Sequence, residues 1–597
     1  MTTRGDDSGN SPLKAWVRAL ELTAPILRNP TVTLPTSIDH LAEKFGSALA
    51  LVSDDDSLSY RALAERCNRY ARWALQERIG TGDVVGLMVA NAPDYLAIWL
   101  GITRTGGIVA LINTALVGDS LVHAVSIVAP KHVIVGAEFA AAFAVVRARL
   151  APGIQYWGHG AGRHGLPRID AAISGFPGGA ILDAECPAPS ITDRALYIYT
   201  SGTTGLPKAA NVSHYRVMQW SYWFAGLLDM RATDRMYNCL PMYHSVGGVV
   251  AVGSTLVNGG SVFLRQGFSV RRFWEDIVAN ECTLFQYIGE LCRFLLKDTP
   301  PRAIGHRIRL CCGNGLRGDI WEEFKERFHI PQILEFYAAT EANFSLFNCE
   351  GKAGAIGRIP SFLAHRFPVA LVRFDTVADK PMRNTAGFCE HCSTDEVGEA
   401  ISKISEDRRD AAGRFEGYSD KSASERKILR DVFVDGDTWF RSGDLMRRDA
   451  AGFFYFVDRV GDTFRRKGEN VSTTEVAEII SACPGVVETI VYGVTVPGID
   501  GRVGMAAVVC KETFDLHEFT QHVVAALPEY AQPVFLRILG EIEITATFKP
   551  KKQDLMRTGY DPALTSDAIY VKPKNRDAFV RLDGGLYECI QSGTVRL

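Results

Sequence analysis

A basic excess is the first thing this 597-residue sequence lacks: 65 Lys and Arg stand against 68 Asp and Glu, for a formal charge of -3. Binding nucleic acid by displacing counterions requires a surplus of cations, so no nucleic-acid partner is expected. Cysteine occurs 13 times but is scattered, with Cys311-Cys312 and Cys389-Glu-His-Cys392 the only close pairs. A structural zinc site takes about four ligands, and no second CxxC or pair of histidines accompanies Cys389 and Cys392, so reduced thiols are the expectation. The N-terminus, Met1-Thr-Thr-Arg-Gly-Asp-Asp, has no signal-peptide layout, and the expected location is cytoplasmic. A spanning helix needs about 20 predominantly apolar residues. Residues 97–116 carry Arg104 in their middle, whereas residues 245–264 are uncharged but hold five glycines and Asn258, which predicts a buried helix, a turn and a short strand. Neither a short fixed repeat nor a low-complexity segment stands out.

What is present is ordinary globular material, 47% apolar and 22% charged, in a 65.5 kDa chain that exceeds one hydrophobic core. From about residue 36 to 455, short apolar runs bounded by glycine alternate with helical patterns; Asp83-Val-Val-Gly-Leu-Met-Val-Ala90, Gly107-Ile-Val-Ala-Leu-Ile112 and His132-Val-Ile-Val135 are examples. Such runs predict parallel strands covered on both faces. After residue 458, a helix near 473–482, strands near 489–494 and 504–509, a helix near 516–527 and a strand near 535–539 predict a small α+β unit. The expected fold is therefore α/β: a large N-terminal multi-subdomain α/β body over 36–457 and a small mobile α+β C-terminal lid domain over 458–597. Residues 1–35 precede them, and 13–27 have apolar residues at helical spacing. A helix packed on the body is expected there, with peripheral contact on the cytosolic membrane face as the alternative.

The strongest local signal is Tyr197-Ile-Tyr-Thr-Ser-Gly-Thr-Thr-Gly-Leu-Pro-Lys208. A strand-like run passes straight into Thr200, Ser201, Gly202, Thr203, Thr204 and Gly205 and closes on Lys208. Glycines turn the backbone so that N–H groups converge, hydroxyls add donors, and a lysine adds charge; that is a phosphate cradle. A Walker A loop needs Gly-Lys followed by Ser or Thr, and Ala209 follows Lys208 here. Two other matches are decoys. Gly160-Ala-Gly-Arg-His-Gly165 fits GxGxxG but runs into Pro167, and His517 and His522 are five apart rather than at the zinc-protease spacing.

The loop resembles the signature of the adenylate-forming superfamily, which contains acyl-CoA synthetases, luciferases and peptide-synthetase adenylation domains. Further matches follow in the right order through nearly the whole chain. Leu240-Pro-Met-Tyr-His-Ser-Val-Gly-Gly248 resembles the segment whose histidine, here His244, borders the acyl pocket near the reacting carboxylate. A nucleophile elbow is absent, because the glycines flanking a serine are missing. Cys312-Gly-Asn-Gly-Leu316, after the strand-like 307–310, looks like the turn that admits adenine, with Gly313, Asn314 and Gly315 beside the base. In Glu335-Phe-Tyr-Ala-Ala-Thr-Glu341 the resemblance implies that Tyr337 stacks on adenine, Thr340 contacts the α-phosphate and Glu341 holds Mg²⁺. Trp439-Phe-Arg-Ser-Gly-Asp444 ends a predicted strand with the ribose acceptor Asp444. The run from Asp458 to Asn470 resembles the hinge motif: Arg459 reaches the nucleotide, Gly461 is the pivot, and Gly468 faces the thiol. Thr545-Ala-Thr-Phe-Lys549 stands in place of the late catalytic lysine, Lys549, with Phe548 replacing the usual glycine; Lys551 and Lys552 are expected to be surface charges. Phe548, Gly461 and Leu111-Ile-Asn-Thr114 resemble the fatty-acid transport protein and very-long-chain acyl-CoA synthetase branch.

The resemblance implies a fatty acid–CoA ligase that uses ATP, Mg²⁺ and coenzyme A as co-substrate and works through an acyl-adenylate. A fatty-acid uptake protein working by coupled activation, and a ligase for a steroid or other cyclic acid, are the alternatives.

Overall fold

A computed structural model describes residues 11–162, 165–200, 206–297, 305–376, 378–405, 407, 413–466, 469–499, 501–544, 551–574, 576, 578–595 and 597. Packing divides the chain into two compact units, Met1–Gly357 with Ile404–Ile428 and Arg358–Lys403 with Leu429–Leu597.

The first unit is built on two sheets. One is six-stranded, in the order Gln155–His159, His132–Gly136, Val84–Met88, Ile108–Leu111, Arg194–Thr200, Lys208–Ser213; every neighbouring pair is parallel except the last. Val84–Met88 and Ile108–Leu111 are buried at every position, which is why they are apolar throughout rather than alternating. The other sheet is eight-stranded and parallel in its middle, where Leu310–Asn314 lies between Leu284–Ile288 and Ile333–Ala338. At its far edge Ser345–Asn348 returns antiparallel to Ile333–Ala338. The strand expected over 307–310 instead begins at Leu310, so Cys312, Gly313 and Asn314 belong to the strand itself.

Residues 245–264 fold as the sequence predicts. A π-helical turn at Val246–Ala251 continues as an α-helix at Val252–Leu256, and Gly259 at φ +87° turns the chain into strand Ser261–Leu264. A Cβ at Gly247 would stand 2.5 Å from the Pro241 carbonyl oxygen, so the close backbone approach demands glycine. Among the described residues no helix is long and apolar enough to cross a membrane.

The leading segment is a helix, Pro12–Thr23, that buries Ala15, Trp16 and Ala19 against helix His214–Leu227. Trp16 meets Trp223 and Phe347 edge-on at 5.8 Å and 5.7 Å between ring centroids, and Arg18 Nε donates to the Gly226 carbonyl at 3.1 Å. This helix is thus part of the core of the first unit.

The second unit holds an antiparallel sheet whose central strands are Val369–Asp375, Gly398–Lys403, Thr438–Arg448 and Phe453–Arg459. A five-stranded sheet follows: Val486–Val494, Val503–Cys510, Phe535–Leu539, Ala568–Val571 and Val580–Arg581. Helices Thr473–Ser481 and Leu516–Ala526 accompany it where expected, whereas the last two strands and helix Gly584–Gln591 were not legible in the sequence. The packing division after Gly357 also differs from the expected boundary at 458, which falls inside the second unit. Its physical basis is the buried Asp458, whose carboxylate accepts from Arg459 N at 2.9 Å and from Thr473 N at 2.6 Å, tying the antiparallel sheet to the first helix beyond it.

Candidate active site

Thr200 and Lys208 are opposite one another at the loop end of the hairpin formed by strands Arg194–Thr200 and Lys208–Ser213. The predicted phosphate loop is the connection between them; Ser201, Gly202, Thr203, Thr204 and Gly205 lie outside the described residues. What flanks them is informative. The Lys208 ammonium sits 5.5 Å from the centroid of the Tyr418 ring. Partial burial, with the Arg426 and Lys427 charges, lowers the Lys208 pKa from its ordinary value, while Glu341 and Asp420 pull it back.

Glu341 lies in the turn that joins strand Ile333–Ala338 to strand Ser345–Asn348. Its Oε1 accepts a hydrogen bond from the Tyr418 hydroxyl at 2.7 Å. The turn is held from below by the buried Arg216, whose guanidinium donates to the carbonyls of Thr340 at 2.6 Å, of Glu341 at 3.5 Å and of Ala342. Three carbonyls on one guanidinium fix a turn that makes few backbone bonds of its own. Thr340 Oγ1 is 3.3 Å from Ser245 Oγ, so the His244 segment and the Thr340–Glu341 turn meet. His244 itself is half-buried with its ring tilted against Tyr243 at 4.6 Å, and Asn91 secures the segment by donating to the Leu240 carbonyl and accepting from Met242 N.

The predicted adenine turn has a buried brace that sequence reasoning left without a role. Glu335 accepts from the Tyr287 hydroxyl at 2.5 Å, from Leu316 N at 3.3 Å and from Gly315 N, where Gly315 has φ +85°. A Cβ at Gly313 would lie 2.3 Å from the Tyr287 carbonyl, so packing against the neighbouring strand by itself requires glycine there. Asn314 Oδ1 is buried and bonds to no group among the described residues. Tyr337 sits near the end of the adjacent strand, 5.6 Å from Phe344.

Burial pushes the Glu335 pKa up from 4.5 to about 8 despite its three donors. The native state therefore keeps a proton that the unfolded chain gives up, and its contribution to stability is present below about pH 4.5 and declines as pH rises to about 8. The slope is roughly 1.4 kcal/mol per pH unit across that window. Chemical denaturation from about pH 5 to about pH 8 should show Glu335→Gln with a flatter pH dependence than the wild-type chain; identical slopes would refute the assignment.

In the second unit Asp444 and Arg459 are strand partners, with Arg459 Nε 3.4 Å from Asp444 Oδ1. The strand does not end at Asp444, as expected, but runs to Arg448 past a register shift at Leu445 and Met446. Gly461 has φ +93° and open space where a Cβ would stand, which suits a pivot. Lys552, expected on the surface, is partly buried and donates to Asp462 at 3.2 Å and to Thr473 at 3.3 Å, whereas Lys551 pairs with exposed Glu543. Gly468 and Lys549 lie outside the described residues. Tyr418, Arg216 and Glu335 are the residues the sequence did not single out; the only signals for them are an aromatic after Glu416-Gly417 and charges at positions that turn out buried.

Residues 38–365 match the AMP-binding enzyme family and residues 475–549 match the AMP-binding enzyme C-terminal domain. The chain belongs to the AMP-binding enzyme family. Within it, the chain is 39% identical to long-chain fatty acid transport protein 1 of Mus musculus over 95% of this chain and 88% of that one. It is 37% identical to long-chain fatty acid transport protein 2 of Rattus norvegicus over 96% and 92%. In fold it is similar to the anthranilate CoA ligase AuaEII in complex with anthranoyl-AMP, with TM-score 0.75, 21% identity and 89% and 98% of the two chains covered. ATP-bound MatB from Rhodopseudomonas palustris aligns with TM-score 0.74 at 22% identity, over 89% and 100%. The large α/β body and smaller C-terminal domain are thus the fold of this family.

Proposed function

We propose that this chain is an AMP-forming ligase that joins a long- or very-long-chain fatty acid to coenzyme A through an acyl-adenylate. The observation that carries this is the meeting of Glu341 and Lys208 on Tyr418, with Lys208 opposite Thr200 where the glycine-threonine loop leaves and rejoins the hairpin. The transport-protein relatives support a fatty acid as the substrate class.

The chemistry follows from charge. The carboxylate oxygen of the acid attacks the α-phosphorus of ATP, the acyl–phosphate bond forms, and pyrophosphate leaves with its electron pair. Both reactants are anionic, so donors fixed in advance where charge develops lower the barrier most. Lys208 and the loop N–H groups supply that role on the triphosphate, and holding the two reactants in line removes an entropic barrier. In the second step the coenzyme A thiol adds to the acyl carbon and AMP departs. A divalent cation fits the donor set, because the Glu341 carboxylate and the Thr340 and Ser245 hydroxyls are hard oxygen donors. Magnesium, when bound, would neutralise phosphate charge. Asn314 Oδ1, a buried acceptor in want of a donor, suits the exocyclic amine of adenine. Asp444 and Arg459 would hold the ribose and phosphate, and 458–597 would act as the moving lid.

ATP–pyrophosphate exchange across a panel of acids, followed by addition of coenzyme A, tests this. Exchange is expected with long-chain fatty acids, and no exchange with any lipid-like acid would overturn the proposal. Lys549→Ala is expected to lose exchange by about 10²–10³-fold while keeping most of the thioester step from preformed acyl-adenylate; equal loss of both steps would remove Lys549 from the adenylation role. Kinship with transport proteins favours a second reading, uptake driven by ligation, which requires fatty-acid accumulation by cells to fall in step with ligase activity in such variants.

A further inference from the structure

Tyr418 is 5% exposed and carries no charge, yet it meets two charged groups of the candidate nucleotide site, Glu341 and Lys208. Its hydroxyl donates to Glu341 Oε1 at 2.7 Å, and the Lys208 ammonium lies 5.5 Å from the centroid of its ring. Thr200 and Lys208 are the two gateposts of the glycine-threonine loop.

The segment that carries it is pinned to the same hairpin. Asn211 N donates to the Gly417 carbonyl and Ser419 N to the Ala209 carbonyl, both at 2.9 Å. The Glu416 carboxylate accepts from Ser213 N at 2.8 Å and from Ser213 Oγ at 2.5 Å, and it stands 3.9 Å from Arg216 Nε. Arg216 in turn clamps the carbonyls of the 340–342 turn. Glu341 and Tyr418 are therefore referenced to one element, the strand-to-helix junction at 213–216, and the phenol closes the remaining gap. Only one carboxylate oxygen is engaged: Glu341 Oε2 makes no hydrogen bond among the described residues.

We propose that Tyr418 is a positioning residue for nucleotide activation, committing Glu341 Oε1 to its phenol so that Oε2 is presented to the divalent cation that arrives with the triphosphate. A phenol ordinarily keeps its proton up to about pH 10, so at neutral pH the hydroxyl is a donor to the Glu341 carboxylate. The inference rests on the adenylate-forming reading of this site.

Tyr418→Phe keeps the ring, its burial and its contact with Lys208, and removes one hydroxyl. The Mg²⁺ concentration for half-maximal ATP–pyrophosphate exchange should rise by about ten- to a hundredfold, the range for losing a group that orients a metal ligand. Binding of Mg²⁺·ATP, followed by calorimetry without any acid, should weaken by a similar factor, while binding of ATP in the presence of a chelator changes little. On a Glu341→Gln background the Tyr418 substitution should add nothing, because the two act as one unit. Additive effects, or an unchanged Mg²⁺ dependence in the single variant, would overturn the proposal. Were Tyr418→Phe not to fold, Glu416→Gln loosens the segment that carries the phenol from Ser213 and should shift the Mg²⁺ dependence in the same direction by less; no shift counts against the proposal. If the wild-type chain binds Mg²⁺·ATP but exchanges no pyrophosphate with any acid, the ligase reading fails, and the calorimetric comparison still decides the role of Tyr418.

Discussion

Glu341→Gln should lower ATP–pyrophosphate exchange by on the order of 10²–10³-fold while leaving the fold intact. Glutamine matches glutamate in shape, and the turn that carries it does not depend on the side chain: Arg216 holds the carbonyls of 340, 341 and 342. What disappears is a negative charge beside the Thr200–Lys208 hairpin; the glutamine amide oxygen can still accept from the Tyr418 hydroxyl. A hard cation prefers an ionised oxygen, so the Mg²⁺ requirement should rise along with the loss of rate. Thermal unfolding close to that of the wild-type chain, together with the lost exchange, would locate the effect in the site. Retention of full exchange would remove Glu341 from the reaction.

Trp16→Ala should destabilise the first unit by about 3–5 kcal/mol, the usual range for deleting a buried tryptophan. That is a large share of the roughly 5–15 kcal/mol that separates folded from unfolded domains. Trp16 is 2% exposed and meets Trp223 and Phe347 edge-on. These partners belong to helix His214–Leu227 and strand Ser345–Asn348, the elements whose first turn and leading turn hold Arg216 and Glu341. Loosening the cluster should therefore lower activity as well as the denaturation midpoint. Gly226→Val should act alike, because a Cβ there would stand 2.5 Å from the backbone N and Cα of Ala19. Wild-type denaturation curves for both variants would mean that helix Pro12–Thr23 does not dock in solution. Removing residues 1–35 to probe membrane contact would strip this cover from the aromatic cluster, so a change in partition after truncation would report exposed core as readily as a lost anchor.

Much of the site was legible because its chemistry is local in sequence. A strand running into glycine and threonine and closing on lysine suggests a phosphate cradle without tertiary information, and the structure places Thr200 opposite Lys208 on the two strands that this run connects. Continuous apolar runs at 84–88 and 108–111 declared parallel strands because both their faces are covered. Beyond the strand leading to Asp444, the antiparallel sheet between residues 369 and 459 is not legible in the sequence, since its strands carry charged residues such as Arg441 paired to the buried Glu399 and so break the period-two pattern. Lys552 reads as a surface charge in the sequence because nothing in a run of lysines tells which one reaches Asp462.

The sequence by itself determined the order of motifs, the family to which they belong, and the residue types available for phosphate and cation chemistry, because each of these is written in contiguous segments. The tertiary structure decided which distant groups complete them. Arg216 and Tyr418 act on Thr340 and Glu341 across separations of 77 residues and more, and Glu335 braces Gly315 from another strand. Hydrogen bonds and burial depend on spatial neighbours, and those are set by sheet order and register rather than by position along the chain.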